Sequence, residues 1–566
     1  MTQRRYKSGI DRSQETLFPP RLEDYVSEHN PVRAVDAYIG SLDMDVLGFT
    51  HSAPGRHQAG QPAYAPQMLL KLYLYGYLNR LRSSRALERE CQRNVELMWL
   101  LEGLQPSYKT IADFRKNNAR ALRGAQAQFI ALCRALGLFS GQLVAVDGSF
   151  FKGNVSQGSF RTHKGLTAQI TKLEEELAQW HQALDAADRE EAGEPASREE
   201  SDLAEKLHAL REALKEKTEA RTDLEQRGRS QHSPVDEDAR LLSKRGQRVA
   251  GFNVQIVTDA RHKLIVADEV TDEPNDLHLL HPMSALAKAV LGVETLEVAA
   301  DAGYVNSVQC HQCHEDGIYP HLPVPSARGR TVAPGRLSRE AFVYEPEHDR
   351  YRCPEGYYLI ASSKPKEQAG HWIQRYRSRR RDCRDCARRA ECLPAKGQVR
   401  EIWRDQYEAD TEAVRQRVMA HPDRLAQRGE LVEHPFGTLK RRAGWDHFLV
   451  RGLEKVRGEW SLMAWAYNFS RVLNLLGLER FREICRRLAE LSACIVTLLW
   501  ALVAYGPPFA KRLAPAGDPI VFSGLSPAFW VRARRRGNTF TVSPALRLQD
   551  RVSSRFPQRP RMQPRP

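Results

Sequence analysis

Apolar and polar positions along this chain follow three different periods, one after another. From Pro66 to Leu104 the apolar residues fall at helical spacing, with Leu69, Leu70, Tyr73, Leu74 and Tyr77 leading the pattern. Gly76 and the Ser83-Ser84 pair predict a break and a fresh N-cap. Thr110 with Asp113 reads as the capping-box start of another helix. From Gly141 the period changes. Leu143-Val144-Ala145-Val146 is a short apolar run ending in Asp147-Gly148, which predicts a strand followed by a turn. A third pattern follows, in which Leu166, Ile170, Leu173, Leu177, Trp180 and Leu184 step by four and three. Leu203, Leu207, Leu210 and Leu214 repeat it, with Leu224 in register, and Ala192-Gly193-Glu194-Pro195 breaks the run. The spacing predicts an antiparallel helical hairpin of coiled-coil type over 165–228, each arm roughly 30 Å long at about 1.5 Å per residue.

Strand signals return at Val249 to Thr258, where Phe252, Val254 and Ile256 alternate with Asn253 and Gln255. With Leu264 to Val270 and the spacer Asp259 to Lys263 they predict a β-hairpin, and a helix follows from about Asp276 to Val290. Leu296 to Ala300 is another apolar strand that delivers an aspartate, Asp301, ahead of a glycine turn. Residues 325–425 are polar, basic and cysteine-bearing and read as an insertion, and Leu425 to Leu476 reads as helical. The expected organisation is a helical DNA-binding domain over 1–135 and an α/β catalytic domain over 136–480. The hairpin of 165–228 and the Cys-rich segment of 325–425 interrupt the second. A basic tail over 481–566 ends in the Arg- and Pro-rich stretch Arg551 to Pro566, expected to be disordered.

Charge narrows the classes of partner. The 566 residues carry a formal net charge of +15, which favours polyanions. The opening MTQRRYKSGI has no apolar core of signal-peptide length, so secretion is not expected. The apolar run Ala493 to Tyr505 falls short of the roughly 18–20 residues of a spanning helix and is read as a buried helix. With no membrane partner expected, nucleic acid remains. Lys71, Arg80, Arg82, Arg85, Arg89 and Arg93 are interleaved with the first helical pattern, as either a DNA-facing or a solvated face.

An aspartate at the end of one strand often only caps a turn. Two of them, Asp147 and Asp301, on strands of one sheet in a basic chain suggest more. Neighbouring strands about 4.8 Å apart bring both carboxylates within reach of one cation. Oxygen-only ligands suit Mg²⁺ or Mn²⁺, and phosphodiester chemistry often uses two such ions about 3.5–4 Å apart. A third carboxylate is needed. Glu433 is the candidate, seven residues before Lys440 and so on one helical face with it, and Glu430 competes. Pro435 leaves two settings open: a helix that begins near His434, or a longer helix kinked there.

Of the ten cysteines, Cys353, Cys383, Cys386 and Cys392 fall within one window, and Cys383-x-x-Cys386 with two further thiols fits a tetrahedral structural Zn²⁺. A hairpin of Tyr357 to Ile360 with His371 to Tyr376 would span the gap after Cys353. Cys310-x-x-Cys313 with His314 is a weaker second pair. The run Arg375 to Arg381 is expected to face DNA, while Trp372 and Trp403 are read as core residues before base-stacking ones.

The order strand–Asp147, hairpin, strand–Asp301, insertion, helix–Glu433 resembles the RNase H-like, retroviral integrase-type fold of DDE transposases. Several strings are similar to the bacterial insertion-sequence branch with a cysteine-bearing insert. They are Gly60 to Pro66, Ser83-Ser84-Arg85, Thr110 to Arg115, Val146-Asp147-Gly148, Ala300-Asp301-Ala302-Gly303-Tyr304 and, most specific, Val432 to Lys440. The resemblance covers about residues 10–476. It implies a metal-dependent transposase that cleaves DNA at element ends and joins the ends to target DNA, with Asp147, Asp301 and Glu433 as the catalytic triad on two Mg²⁺ or Mn²⁺ ions. It further implies DNA contacts from Lys440, with Arg428, Arg441 and Arg442 beside it. Leu425 and Ala426 stand where related transposases often carry a tyrosine. The partners implied are terminal inverted repeats, target DNA and a second copy of the chain, in the cytoplasm of a bacterium at its nucleoid. An RNase H-like nuclease without strand transfer, and an inactive DNA-binding derivative, stay open as alternatives.

Overall fold

A computed structural model describes residues 21–51, 62–190, 198–324, 336–368 and 371–490, apart from 227, 229 and 245, and the strands 531–536 and 539–544. The N-terminal string, the breaker at 192–195, the apolar run from Ala493 and the Arg- and Pro-rich end lie outside the described residues. The chain divides into two compact units, Met1–Ser27 with Met68–Gly477, and Glu28–Gln67 with Leu478–Pro566. In the second, helix Val32–Gly40 sets Tyr38 6.2 Å from Phe481, and strands Val531–Arg536 and Thr539–Pro544 pair antiparallel. No helix among the described residues is long and apolar enough to cross a membrane.

The first unit opens with helices α1 (Pro66–Leu78), α2 (Ser84–Arg93), α3 (Tyr108–Asn117) and α4 (Ala119–Ala135). Gly76 is a close approach within α1 and does not break it. A Cβ there would come 2.6 Å from the Leu81 carbonyl oxygen and 2.7 Å from Leu87. Helix α3 begins earlier than Thr110, because the hydroxyl of Ser107 accepts from the Thr110 amide and caps it. The expected basic face is split. Lys71 and Arg82 are buried, whereas Arg85, Arg89 and Arg93 form an exposed stripe along α2 at intervals of four.

The central sheet holds β1 (Leu143–Lys152), β2 (Arg240–Lys244), β3 (Gln247–Asp259), β4 (Ile265–Thr271), β5 (Leu296–Ala299) and β6 (Ile318–His321). Its backbone order is β2-β3-β1-β5-β6, and β4 also pairs with β3. β3 lies antiparallel to β1 and β4, while β1, β5 and β6 run parallel. This mixed α/β sheet agrees with the expected fold class. Asp147 departs from the expectation of a strand end. β1 continues to Lys152, and Asp147 pairs with Ile256 in mid-strand, because Phe150 and Phe151 extend the apolar pattern past Gly148. What does end there is the parallel ladder to β5, whose last pair is Ala145 with Ala299.

Helices α5 (His163–Glu190) and α6 (Arg198–Gln226) leave and rejoin through a short ladder that pairs Arg161 with His232. The contacts of Arg161 with Glu216 and of His163 with Glu225, from the start of one helix to the end of the other, show that the two run antiparallel. Leu166, Ile170, Leu177, Leu207 and Leu224 of the expected seam are buried. Helix α7 (Leu280–Leu291) packs beneath the sheet with Val146, Val298 and Ile318.

The insert is a second sheet of β7 (Val343–Glu345), β8 (Arg350–Arg352), β9 (Tyr358–Ala361), β10 (Lys366–Gln368), β11 (His371–Ser378) and β12 (Glu401–Asp405). The expected hairpin is β9 with β11, paired antiparallel. Trp372 and Trp403 are not core residues as expected: they are 50% and 42% exposed, because Tyr351, Leu359, Tyr376 and Ile402 already fill the core. Helices α8 (Pro422–Phe436) and α9 (Leu453–Leu476) close the unit. Of the two settings left open at Pro435, the structure has the longer one: α8 passes through Pro435 and opens into a π-helical turn over Gly437–Arg442.

Candidate active site

Asp147 and Asp301 reach the same end of a parallel ladder through strand pairing. Ala145 is the register partner of Ala299, and each aspartate lies two residues further on, where the parallel strands diverge. In open α/β sheets ligands bind in the crevice beyond the carboxyl ends of such strands. Asp301 caps a short turn, and its Oδ1 accepts from the Gly303 amide at 2.8 Å.

Helix α8 crosses this point. Leu431 and Val432 pack on Ala145. Arg428 places Nη1 3.8 Å from Asp147 Oδ1. At the far end, Lys440 Nζ donates to Ser149 Oγ at 2.7 Å and to the Phe150 carbonyl at 2.5 Å, and lies 4.2 Å from the Phe151 ring centre. The helix therefore brackets Asp147 from both sides, with the exposed Glu433 between the two anchors in sequence. Lys440 faces β1 at these contacts, while Arg441 and Arg442 are open to solvent. Glu430 is drawn away by an ion pair with Lys263 in the β3–β4 turn. His434 fixes the other flank through Tyr467 Oη at 2.9 Å and Arg471 at 3.1 Å.

A fourth carboxylate, Asp276, was missed in the sequence. It is 8% exposed, and its Oδ1 accepts from Asn253 Nδ2 at 2.9 Å and Gln255 Nε2 at 2.7 Å. Gln255 in turn accepts from the Tyr304 hydroxyl at 2.5 Å. Two glycines leave space among the acids. A Cβ on Gly148 would stand 2.7 Å from Asp276 Oδ1, and one on Gly303 would stand 2.9 Å from Asp301 Oδ1 and 3.8 Å from Asp276 Oδ2. Burial, and then the charges of Asp276, Asp147 and Asp301, hold the Tyr304 phenol well above its ordinary value, so all three acids act on one ring. The signal available was Glu273-Pro274-Asn275-Asp276 between a strand and a helix, which reads equally as a helix cap.

In the insert, Cys353, Cys383, Cys386 and Cys392 line one pocket. Burial, with the three other thiols nearby, pushes the Cys392 thiol up against the opposing pull of Arg400. Ser378 Oγ lies 3.0 Å from Cys383 Sγ. Among the described residues, no three His, Cys, Asp or Glu side chains are close enough together to hold a metal ion as they stand. Cys310 and Cys313 belong to the core under the central sheet, where burial pushes the Cys310 thiol up to about 11. His314 pairs with Asp410.

Comparison with known proteins gives two family matches. Residues 20–117 match the family described as Transposase domain (DUF772), and residues 352–473 match the family described as Transposase DDE domain. The second match includes Cys353, the rest of the cysteine set, Glu433 and Lys440. No curated protein matches. One solved structure is similar, a piggyBac transposase synaptic complex with hairpin DNA. The identity is 10%, the likeness covers 88% of this chain and 87% of that one, and the TM-score is 0.28.

Proposed function

This chain is a DDE transposase of the insertion-sequence type, and we propose that Asp147, Asp301 and Glu433 carry its cleavage and joining of DNA. One observation carries the reading: α8 brackets Asp147, with Arg428 at 3.8 Å on one side and Lys440 on Ser149 on the other, where the strands bearing Asp147 and Asp301 diverge. The donors are all carboxylate oxygens, a set that fits Mg²⁺ or Mn²⁺, the ions the family implies. Two such ions bound there would lower the pKa of an attacking hydroxyl and stabilise the leaving oxygen.

The chain's own residues supply the rest. Asp147 on β1 and Asp301 in the turn after β5 would hold the ions with their oxygens, and Glu433 would bring a third carboxylate from the helix. Asp276 is a positioning residue: it accepts from Asn253 and Gln255, and Gln255 accepts from Tyr304 in the turn that Asp301 caps. Arg428 balances the charge of Asp147. Lys440 fixes the helix on β1, and Arg441 and Arg442 extend from the same turn toward DNA phosphates. Water attacks first, at the element's ends, and frees 3′-hydroxyls. Those hydroxyls then attack target phosphates, expelling one strand oxygen at each joint. The exposed stripe of Arg85, Arg89 and Arg93 supports binding of the terminal inverted repeats. Two protomers, one for each element end, fit a reaction that joins both ends.

The test is cleavage of the element's own ends with Mg²⁺ by wild type and by Asp147→Asn, Asp301→Asn and Glu433→Gln. Each variant is expected to bind the ends and fail to cut them. Robust cutting by any variant removes that residue from the site. Pre-cut 3′ ends separate a transposase, which joins them to target DNA, from a nuclease, which does not.

In the insert, the four thiols gathered in one pocket support a structural Zn²⁺ on Cys353, Cys383, Cys386 and Cys392. Purified protein is expected to contain one zinc per chain and to lose it on Cys386→Ser. Metal-free protein with an unchanged melting profile would sink this assignment.

A further inference from the structure

The insert sheet has two faces, and one of them is open only in part: the face of Arg375 and Trp403 is buried at Ile373 and Asp405 and exposed beside them. Partners across a ladder share a face, and neighbours along a strand alternate. Tyr351, Leu359, Tyr376 and Ile402 form the inner face, buried with Phe342. The outer face follows from the pairing. One row runs Arg350, Ile360, Arg377 and Glu401 across β8, β9, β11 and β12, and beside it Arg352 pairs with Tyr358 and Arg375 with Trp403. On that face Tyr358, Ile360 and Trp403 are 37%, 44% and 42% exposed. Arg350 lies 3.7 Å over the Tyr358 ring, and Arg375 lies 5.6 Å from that of Trp403. Glu345 pairs with Arg350 and Arg352, and Glu401 with Arg377, so four arginines face two glutamates and the surface keeps a positive excess.

We propose that this outer face binds single-stranded DNA, with unpaired bases lying on Tyr358, Trp403 and the guanidinium planes over them, and phosphates taken by the arginines. The charge fits a polyanion. Open rings on a flat sheet suit bases that have lost their own stacking partners, because a duplex keeps its base faces covered. A second copy of this chain fits poorly, since a two-fold contact would press the four arginines against their own copies. The proposal rests on the chain acting on DNA and not on which acids do the chemistry, so the failure of one leaves the other standing.

The test uses the full chain and a labelled twenty-nucleotide oligo(dT), with a twenty-base-pair duplex alongside at the same salt. Tyr358→Ala and Trp403→Ala are expected to weaken oligo(dT) binding roughly 5- to 100-fold each and duplex binding less than about twofold, while Trp403→Phe stays near wild type. A bromouridine strand cross-linked to wild type, which does not depend on how any variant folds, is expected to mark residues 343–405. Unchanged oligo(dT) binding by both alanine variants, equal loss of duplex binding, or cross-links confined to other segments would overturn it. So would a change of oligomeric mass with DNA binding intact, which would give this face to another copy of the chain.

Discussion

Gly148 and Gly303 show that the site is shaped as much by missing Cβ atoms as by the acids. Gly148 leaves room for Asp276, a buried carboxylate satisfied by two amides, and Gly303 leaves room for Asp301. Asp276→Asn keeps the volume and one acceptor but removes the charge and replaces one carboxylate oxygen with an NH₂ group. We expect the variant to fold and to lose about 10- to 100-fold in end cleavage, as when the support of a metal ligand is removed. Unchanged cleavage with an unchanged Mn²⁺ requirement would make Asp276 a helix cap only. His321, the last residue of β6 and the register partner of Ala299, gives a pH prediction. It is fully buried, neither ring nitrogen has a hydrogen-bond partner, and burial lowers its pKa to about 4. Between about 4 and 6.5 the unfolded chain binds the extra proton. Stability from this group is therefore full above 6.5 and is lost as pH falls through that window, on the order of 2–3 kcal/mol in all. Asp268, held up at about 6 by burial, acts in the opposite sense over part of the same range, so the measurement must be a difference. The unfolding free energy of wild type minus that of His321→Gln, followed by urea titration, should be flat above pH 7 and fall below it.

Among the elements, α8 carries the most functional information and was the hardest to read. Its sequence string pointed to Glu433, but periodicity could not say how a helix passes Pro435. In the structure the helix runs on through Pro435 and then opens into a π-turn over Gly437–Arg442, a feature frequent at functional sites. The wider turn delivers Lys440 to Ser149 and Phe150. Pro435→Ala restores an amide donor and removes an interior-proline cost of up to about 3 kcal/mol. It should raise the melting temperature while lowering cleavage, because a regular helix rotates Lys440 off β1. A variant that is both more stable and fully active would show the π-turn to be incidental. The β3–β4 hairpin and the strand before Asp301 were legible because their apolar alternation is local. The continuation of β1 through Asp147 was not, since Gly148 and Ser149 look like a turn until pairing with β3 is known. The outer face of the insert was equally hidden, for it exists only once non-local register fixes which side of each strand is buried.

At the scale of the whole molecule, helices α1 to α4 share one compact unit, Met68–Gly477, with the central sheet. Helical periodicity shows which positions of α1 to α4 are apolar, but not that their partner lies more than three hundred residues away. The Phe129 ring lies 5.6 Å from Phe469 and 6.5 Å from Trp465, and Gly458 packs on Ala119 so closely that a Cβ would reach 2.5 Å from its Cα. Glu459 of α9 joins these parts in polar terms. It is fully buried. Its Oε1 accepts from Tyr77 at 3.3 Å and from Arg115 at 3.4 Å and lies 3.9 Å from Arg82, while Oε2 takes the Leu449 and Val450 amides at 2.8 and 3.2 Å. Arg82 in turn donates to the His447 carbonyl, and the neighbouring Asp446 pairs with Lys152 at the end of β1. Helical bundle, catalytic strand and the segment after α8 thus meet at one carboxylate. Glu459→Gln keeps the shape but leaves two buried guanidiniums without their counter-charge, a loss of about 3–5 kcal/mol. If the unit is one cooperative body, circular dichroism and the fluorescence of Trp445, Trp460 and Trp465 should both shift to lower urea by the same amount in this variant. Two separated transitions, with only the helical signal displaced, would show an independent N-terminal domain.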